Sequence, residues 1–204
     1  MSTSTLTDLD VVYPESDGKP LADNTLQWDW MVKIVGELRA MFAGREVFVA
    51  GDLFWYPVQG APKIVTAPDA MIVFGRPAGN RGSYIQHREG DLAPQVVFEV
   101  LSPSNTDDEL DCKLEFYDAH GVEEYYLIDP YDHLVTGYVR RGRRLGPIRK
   151  ILGFTSPRLG IRFEIIDGEL LIIGKTGRPF QSRAKRLAEL TAKLRELGID
   201  PEKL

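Results

Sequence analysis

The sequence predicts one α/β domain in which a mixed central sheet is flanked by helices. Segments of helical periodicity and short runs of β-branched and aromatic residues follow the order helix, three strands, helix, strand, with further β-structure and a terminal helix behind them. A length of 204 residues, 43% of them hydrophobic, suffices for one core but not for two. We expect an extended N-terminal arm (1–24), a main domain (25–175) and a C-terminal helical tail (176–204).

The composition excludes several classes of protein. A charged fraction of 27% is ordinary for a globular chain and argues against a disordered or collagen-like protein. The net charge of -5 excludes a protein that coats nucleic acid by bulk positive charge, although it is compatible with a local basic patch. Cys112 is the only cysteine, so neither a disulfide framework nor a cysteine zinc site is expected. Because no apolar run approaches the ~18 residues of a membrane span, we expect a cytoplasmic protein with no membrane partner.

The first helix is predicted over residues 26–43. Its apolar residues recur at helical steps and form one stripe, and Gly44 ends it. Three short strands are predicted next, in a hairpin or meander, at Val47–Ala50, Leu53–Tyr56 and Ile64–Thr66.

Two further strands enclose a long polar loop. The strand Asp69–Phe74 is separated from the almost wholly apolar strand Gln95–Leu101 by residues 75–93. A loop of nineteen residues is long for a compact domain and is usually functional or mobile. The loop contains Arg76, Arg81 and Arg88. These arginines either bind a nucleic-acid backbone or are ordinary surface residues.

A second helix follows the apolar strand. Thr106 and Glu109 have capping-box spacing for a helix that runs to about His120, and Gly121 is its terminal glycine. Cys112 lies on this helix, where we expect a small core residue. The remaining predicted elements are a strand at Glu124–Ile128, a hairpin that turns at Gly142, and strands near Ile161–Phe163 and Leu170–Ile173.

Glu99 is the most informative single residue. It lies in the run Val96 to Leu101, which is typical of a strand covered on both faces. An ionised, unpaired carboxylate in a dry core costs about several kcal/mol, so Glu99 must be protonated, paired, bound to a metal or exposed in a cleft. Both a structural acid paired with a basic residue and a functional acid fit this position.

Asp69 and Lys113 can reach the same place. If the strand that begins at Asp69 pairs antiparallel with the strand that ends at Leu101, Asp69 and Glu99 converge. Lys113 lies on the apolar face of the next helix, where its ammonium would compensate a buried acid. The alternatives are that Asp69 is a turn or cap residue and that Lys113 extends to solvent.

Two carboxylates and a lysine at a strand end suit metal-assisted hydrolysis of a phosphodiester. Carboxylate oxygens hold Mg²⁺, with Mn²⁺ as a substitute, while several waters stay bound. The metal lowers the pKa of an attacking water, and a lysine offsets the charge that develops on the phosphate. The substrate would supply some of the metal's ligands.

The same residues carry a resemblance to a known family. Pro68-Asp69, the run Val97 to Pro103, Lys113 with Tyr117, the run Gly121 to Tyr126, and Asp129-Pro130 occur in this order. In these motifs the chain resembles the Uma-two family of restriction-endonuclease-like proteins, a branch of the PD-(D/E)XK nuclease superfamily, over about residues 25–175. The resemblance implies a restriction-endonuclease-like αβββαβ core, which is similar to the order of elements that the periodicity predicts.

The resemblance also implies roles for four residues. Asp69 and Glu99 would be metal ligands together with the carbonyl of Val100, and Lys113 would be the catalytic lysine. The superfamily pattern has its lysine two residues after the second acid, where this chain has Leu101. In the related family the lysine has moved to the following helix, which is why the role falls to Lys113. The chain is therefore predicted to be a Mg²⁺-dependent DNA endonuclease.

Two other functions remain open. Leu101 and the acidic net charge are compatible with a catalytically inactive nuclease fold that binds nucleic acid or a partner. A hydrolase of small phosphorylated compounds would use the same site.

Two further features of the sequence have two interpretations each. Glu37, on the first helix, is either an extra acid or an exposed residue. The stretch from Arg140 to Lys150 contains six positive charges and is either a DNA contact or a solvated hairpin tip.

The tail carries a leucine seam. Its leucines are spaced three, four and three, which is two heptads and too short to predict a coiled coil. The seam therefore either packs on its own domain or forms a dimer contact. We expect a homodimer through the C-terminal helix, because two-fold symmetry matches a duplex that is cut on both strands.

Overall fold

The computed structural model describes residues 11–18 and 20–201, so the first ten residues of the predicted arm and the last three of the tail lie outside it. The helices are α1 (Thr25–Met41), α2 (Asp107–Ala119) and α3 (Arg183–Glu196). The strands are β1 (Val47–Ala50), β2 (Trp55–Tyr56), β3 (Ala70–Phe74), β4 (Tyr84–Ile85), β5 (Val96–Val100), β6 (Glu124–Asp129), β7 (Leu134–Arg141), β8 (Arg144–Pro147), β9 (Arg162–Ile166) and β10 (Glu169–Ile173). No helix in the described ranges is long and apolar enough to cross a membrane.

The centre of the molecule is a mixed sheet in the order β1-β3-β5-β6-β7-β8. β3 is antiparallel to both β1 and β5, whereas β5 and β6 are parallel and are connected through α2. The hairpin β7–β8 extends this sheet, and β9 and β10 form a separate hairpin. The predicted α/β class, with a mixed sheet, flanking helices and added hairpins, is confirmed.

The region between β1 and β3 is not the hairpin or meander that the sequence predicts. Only β2 forms there, and it pairs in parallel with β4, while Thr66 adds a single bridge to Trp55. The predicted loop over 75–93 accordingly contains β4 and a short 3-10 helix, Gln86–Glu89. Trp55 and Tyr84 are both fully buried, so a long-range aromatic cluster determines this pairing and local strand propensity does not.

Both faces of the sheet are covered, as the apolar run of β5 predicts. One face packs against α1 and the β9–β10 hairpin, and the other packs against α2 and the aromatic residues around Trp55. Because side chains alternate along a strand, Val97 and Glu99 project toward α2 and Phe98 projects toward α1. Alternation thus directs the buried acid of β5 toward the helix that carries Lys113.

Cys112 is exposed, which corrects the core position expected for it. Helix α2 rests on the sheet through Tyr117, which is fully buried, and through half-buried Leu114. At 3.6 residues per turn, Cys112 lies on the opposite side of the helix from this face and points to solvent.

The two ends of the described chain are held differently. Tyr13 is buried against Tyr56, with ring centroids 5.0 Å apart, which fixes the predicted arm to the domain at this point. Near the other end, Glu37 of α1 accepts a hydrogen bond of 3.2 Å from the backbone N–H of Gln181, just before α3. Three leucines of the seam face solvent on α3 and just after it: Leu187, Leu190 and Leu197.

A second buried carboxylate, Glu124 at the start of β6, has a structural role. It accepts hydrogen bonds from the hydroxyl of Tyr126 at 2.9 Å, from the hydroxyl of Ser156, and from the backbone N–H of Arg158 at 2.7 Å. These bonds tie the segment before β9 to the central sheet. A buried acid in this fold can therefore be purely structural, which makes the partners of Glu99 the decisive evidence about its role.

Candidate active site

The two predicted acids meet at the ends of neighbouring strands. Asp69 directly precedes β3, Glu99 is the penultimate residue of β5, and the antiparallel register pairs Ala70 with Phe98. Asp69 Oδ2 accepts a hydrogen bond of 2.6 Å from the backbone N–H of Val100. The exposed fractions of Asp69 and Glu99 are only 9% and 2%. The structure therefore brings two buried carboxylates together from distant parts of the chain.

Helix α2 supplies the partners of Glu99. Lys113 Nζ donates a hydrogen bond of 2.9 Å to Glu99 Oε2, and the hydroxyl of Tyr117 donates to Glu99 Oε1. Because Lys113 and Tyr117 are four residues apart, they lie on one face of α2. The sequence placed Tyr117 on this face, but its contact with Glu99 was not predicted.

Burial and charge both act on Asp69. Burial, reinforced by the neighbouring Glu99 carboxylate, raises the pKa of Asp69 well above its usual value, against the opposing effects of the Val100 N–H and Lys113. Ionising both carboxylates together is therefore costly unless more positive charge is present. A cation bound between them would remove this cost.

Lys113 and Tyr117 keep their protons near neutral pH. Burial alone would lower the pKa of Lys113, but the charge of Glu99 and the hydrogen bond to it outweigh burial and raise that pKa. Burial and then the Glu99 charge raise the pKa of Tyr117 well above its usual value. Lys113 is thus suited to electrostatic stabilisation and not to proton abstraction, and Tyr117 remains a hydrogen-bond donor.

The carbonyl of Val100 is already positioned by a side chain. It accepts a buried hydrogen bond of 3.0 Å from Gln27 Nε2, and Gln27 Oε1 accepts one of 2.8 Å from the backbone N–H of Asp23. A carbonyl oxygen has a second lone pair, so this bond leaves it able to bind a metal. Gln27 was not predicted, although its place on the stripe of Met31 and Ile34 in the first turn of α1 is a visible signal.

Asp52 is a third acid that the sequence reasoning did not find. Its backbone N–H donates a hydrogen bond of 3.0 Å to the carbonyl of Pro68, which places it beside Asp69. Burial, followed by the charges of Asp17 and Glu99, raises the pKa of Asp52. The only sequence signal for it is that it follows β1, the neighbour of β3 in the sheet.

A cleft of about 420 Å³, which we call the carboxylate cleft, is lined by Asp69, Asp52 and Lys113, whereas Glu99 is not part of its lining. Lys113 contributes a positive charge to its lining, and the acidic residues that line it are Glu15, Asp17, Asp23, Asp52, Asp69 and Glu109. Such a lining repels a polyanion such as nucleic acid unless cations enter the cleft with it.

The donor set fits a hard divalent cation. Asp69 and Glu99 offer carboxylate oxygens and Val100 offers a carbonyl oxygen, which are the ligand types that Mg²⁺ prefers. No three side chains of His, Cys, Asp or Glu form a metal-binding cluster in the part of the chain that the structure describes. The remaining ligands would therefore be waters and substrate oxygens, which Mg²⁺ commonly retains.

Several weaker candidates have structural contacts elsewhere. Arg140 donates hydrogen bonds to backbone carbonyls, and Asp118 forms ion pairs with Arg140 at 3.2 Å and with Arg144 at 3.5 Å. In the loop after β3, Arg81 pairs with Glu89 at 2.6 Å. None of these residues lines the carboxylate cleft, and neither does Glu37.

Replacing Tyr117 with phenylalanine tests whether its hydroxyl positions Glu99. For the Mg²⁺-dependent DNA cleavage that the sequence predicts, we expect kcat to fall about tenfold and the affinity for Mg²⁺ to weaken, because a hydrogen bond to a charged group is worth about 1.5–3 kcal/mol. Mg²⁺ binding is measured by calorimetry and kcat by cleavage at saturating metal.

Tyr125 is the matched control for this variant. Its hydroxyl is buried and has no hydrogen-bond partner among the described residues, so Tyr125→Phe should leave cleavage unchanged and stability equal or higher. Equal Mg²⁺ affinity in Tyr117→Phe and the wild type would show that Tyr117 only fills space.

The fold and these side chains fit the class of nucleases. The family model Uma2, described as "Putative restriction endonuclease", matches residues 29–157, which is more than half of the chain. The chain therefore belongs to this family. Among curated proteins none matches it.

A crystal structure from Anabaena variabilis ATCC 29413, described as "a putative nuclease belonging to DUF820", is similar to this chain at 15% sequence identity. The similarity covers 67% of this chain and 76% of the other, with a TM-score of 0.49.

Proposed function

We propose that this protein is a Mg²⁺-dependent DNA endonuclease, with Mn²⁺ as a substitute, and that its site consists of Asp69, Glu99, the Val100 carbonyl and Lys113. One observation carries the proposal: the buried carboxylates Asp69 and Glu99 meet Lys113 at the end of β5, and Asp69 and Lys113 line a cleft. Membership of a family of restriction endonucleases supports it.

Each group in the site has a defined task. Asp69 and Glu99, with the Val100 carbonyl, hold the cation. When bound, Mg²⁺ supplies a nucleophile at neutral pH by lowering the pKa of its water. Lys113 carries its charge next to Glu99 and offsets the negative charge that grows on the phosphate in the transition state.

Plasmid cleavage tests the proposal. With Mg²⁺ or Mn²⁺ the wild type should nick or linearise plasmid DNA, EDTA should stop the reaction, and Glu99→Gln should lower the rate by about 10²–10³-fold. Mg²⁺ should raise the melting temperature of the wild type but not of Glu99→Gln. Glu46→Gln, an exposed residue outside the cleft and outside α3, serves as the control that keeps activity.

Other outcomes would favour the alternative functions. Salt-sensitive DNA binding without cleavage under any divalent metal would indicate a catalytically inactive nuclease fold. Hydrolysis of phosphate monoesters instead of plasmid would indicate a hydrolase of small phosphorylated compounds.

We also propose a homodimer formed through the C-terminal helix. Leu187 and Leu190 on α3 and Leu197 just after it are exposed, so this leucine seam is accessible to a second copy. Two sites related by a two-fold axis would face the two strands of a duplex.

A further inference from the structure

A second, apolar pocket adjoins the carboxylate cleft. It has a volume of about 280 Å³, and three of its lining residues, Leu21, Asp52 and Asp69, also line the carboxylate cleft. The two cavities therefore share a wall at the proposed metal site. If a phosphate group of the substrate is bound at Asp69, the nucleotide attached to that phosphate can reach this pocket.

The walls of this apolar pocket include exposed apolar side chains. Leu21, Trp28 and Val32 line it and are 55%, 44% and 40% exposed. Within the described residues, Trp28 takes part in none of the aromatic ring pairs, whereas Trp55 stacks on Tyr117 and touches Phe116 edge-on. An exposed indole in a pocket beside a phosphodiester site offers a stacking surface.

The floor of the apolar pocket is closely packed. A Cβ added at Gly51 would lie 2.9 Å from Val35 Cγ2 and 3.0 Å from the backbone oxygen of Asp69. Glycine at position 51 therefore lets α1 and the Asp69 backbone approach closely at this wall of the pocket.

The charged residues that line the apolar pocket are two arginines and the two acids Asp52 and Asp69. Arg39 and Arg183 line it, and Arg39 is oriented by a hydrogen bond of 3.1 Å from its Nε to the carbonyl of Val49. The carboxylate cleft is acidic by comparison. The apolar pocket thus combines a flat aromatic surface with guanidinium groups at its edge, which suits a base with its flanking phosphates.

We propose that this apolar pocket binds one unstacked nucleobase of the strand whose phosphodiester lies at Asp69 and Glu99. The proposal rests on the proposed nuclease function and narrows its substrate to nucleic acid with an unpaired base. The volume is on the scale of one heterocycle and is too small for a stacked duplex. The base comes either from a single strand or from a duplex that has extruded it.

Binding of three labelled oligonucleotides tests the proposal. A single strand, a perfect duplex of the same sequence, and that duplex with one bulged base are titrated with the full chain by fluorescence anisotropy, with Ca²⁺ replacing Mg²⁺. The single strand should bind at least about tenfold more tightly than the perfect duplex and should quench tryptophan fluorescence. A bulged duplex that binds like the single strand shows that an extruded base is accepted, and one that binds like the perfect duplex shows that the pocket requires a single strand.

The Trp28→Leu variant tests whether the apolar pocket is the place where the base binds. It should weaken single-strand binding about tenfold and remove the quenching, while binding of the perfect duplex stays the same. Leu134→Ala, at an exposed apolar residue outside both the pocket and the leucine seam, should change neither value by more than about twofold. Equal affinity for single strand and duplex, unchanged in Trp28→Leu, would overturn the proposal. A loss of dimer in Trp28→Leu, seen by sedimentation, would also overturn it, since a second copy would then cover the pocket.

These outcomes separate the two proposals. Cleavage of perfect duplex that does not depend on Trp28 leaves the nuclease function intact and removes the base pocket. Single-strand binding that depends on Trp28, in a protein that cleaves nothing, leaves the base pocket intact and removes the nuclease function.

Discussion

Replacing Lys113 with methionine is expected to lower the cleavage rate by about 10²–10³-fold and to destabilise the fold. The rate falls because a preorganised positive charge next to the phosphate is lost. The fold is weakened because Glu99, only 2% exposed, loses its cationic partner. Removing one member of a buried ion pair costs about 3–5 kcal/mol, and we expect about 2–3 kcal/mol here because the Lys113 side chain is 24% exposed.

A double variant separates the two effects of this substitution. In Glu99→Gln/Lys113→Met neither member of the Lys113–Glu99 pair is left charged without the other, so most of the lost free energy of unfolding should return while activity stays absent. Urea denaturation measures stability and plasmid cleavage measures activity, with Lys63→Met, at an exposed position outside the cleft, as the matched control. A double variant as unstable as Lys113→Met would show that the Lys113–Glu99 pair does not account for the loss.

The second large effect is expected for Asp69→Asn, which should lose cleavage by about 10³-fold and yet gain stability. An asparagine oxygen can accept the same hydrogen bond from the Val100 N–H, but it removes one of two adjacent buried carboxylates. At pH 8 and without divalent ions we expect a gain of about 1 kcal/mol in the free energy of unfolding.

The sign of the pH dependence follows from the direction of the Asp69 shift. Burial and Glu99 raise the pKa of Asp69 in the folded state above its ordinary value of 3.8. The folded state therefore takes up this proton at higher pH than the unfolded state. The contribution of this proton to the free energy of unfolding is complete below pH 3.8 and is lost as the pH rises through the raised pKa. The advantage of Asp69→Asn should accordingly shrink as pH falls from 8 toward 4.

Chemical denaturation across this pH range measures the difference between wild type and Asp69→Asn. Added Mg²⁺ should stabilise the wild type at pH 8 and leave Asp69→Asn unchanged, because a bound cation relieves the repulsion only where both carboxylates are present. A lower stability of Asp69→Asn than of the wild type at pH 8 would contradict this prediction. It would show that repulsion between Asp69 and Glu99 does not destabilise the metal-free protein.

Much of the geometry around Glu99 could be predicted from short stretches of sequence. The apolar run around Glu99 predicted a strand covered on both faces, and the four-residue step from Lys113 to Tyr117 predicted a shared helix face. β3 begins just after Asp69, and β5 ends just before Leu101. Their antiparallel pairing could then be predicted from the assumption that these two strands are neighbours in the sheet. These features depend on periodicity and on adjacency in the chain.

Other features were beyond such reasoning. The contact of Gln27 with the Val100 carbonyl spans 73 positions, and the helical stripe that marks Gln27 does not indicate which residue it contacts. The parallel pairing of β2 with β4 depends on the burial of Trp55 and Tyr84, and local strand propensity favoured a hairpin instead. The apolar pocket at Trp28 exists because α1, Gly51 and the start of α3 meet there.

The sequence by itself determined the α/β class, the helix and strand that carry the lysine and the second acid, and the chemistry those side chains can perform. The tertiary structure alone decided that Asp52 and Gln27 join the site, that Cys112 faces solvent, and that an apolar pocket borders the acids. The physical reason is the distance along the chain over which each kind of interaction acts. Backbone periodicity and side-chain spacing act between near neighbours, whereas burial and cavity shape depend on which distant segments pack together.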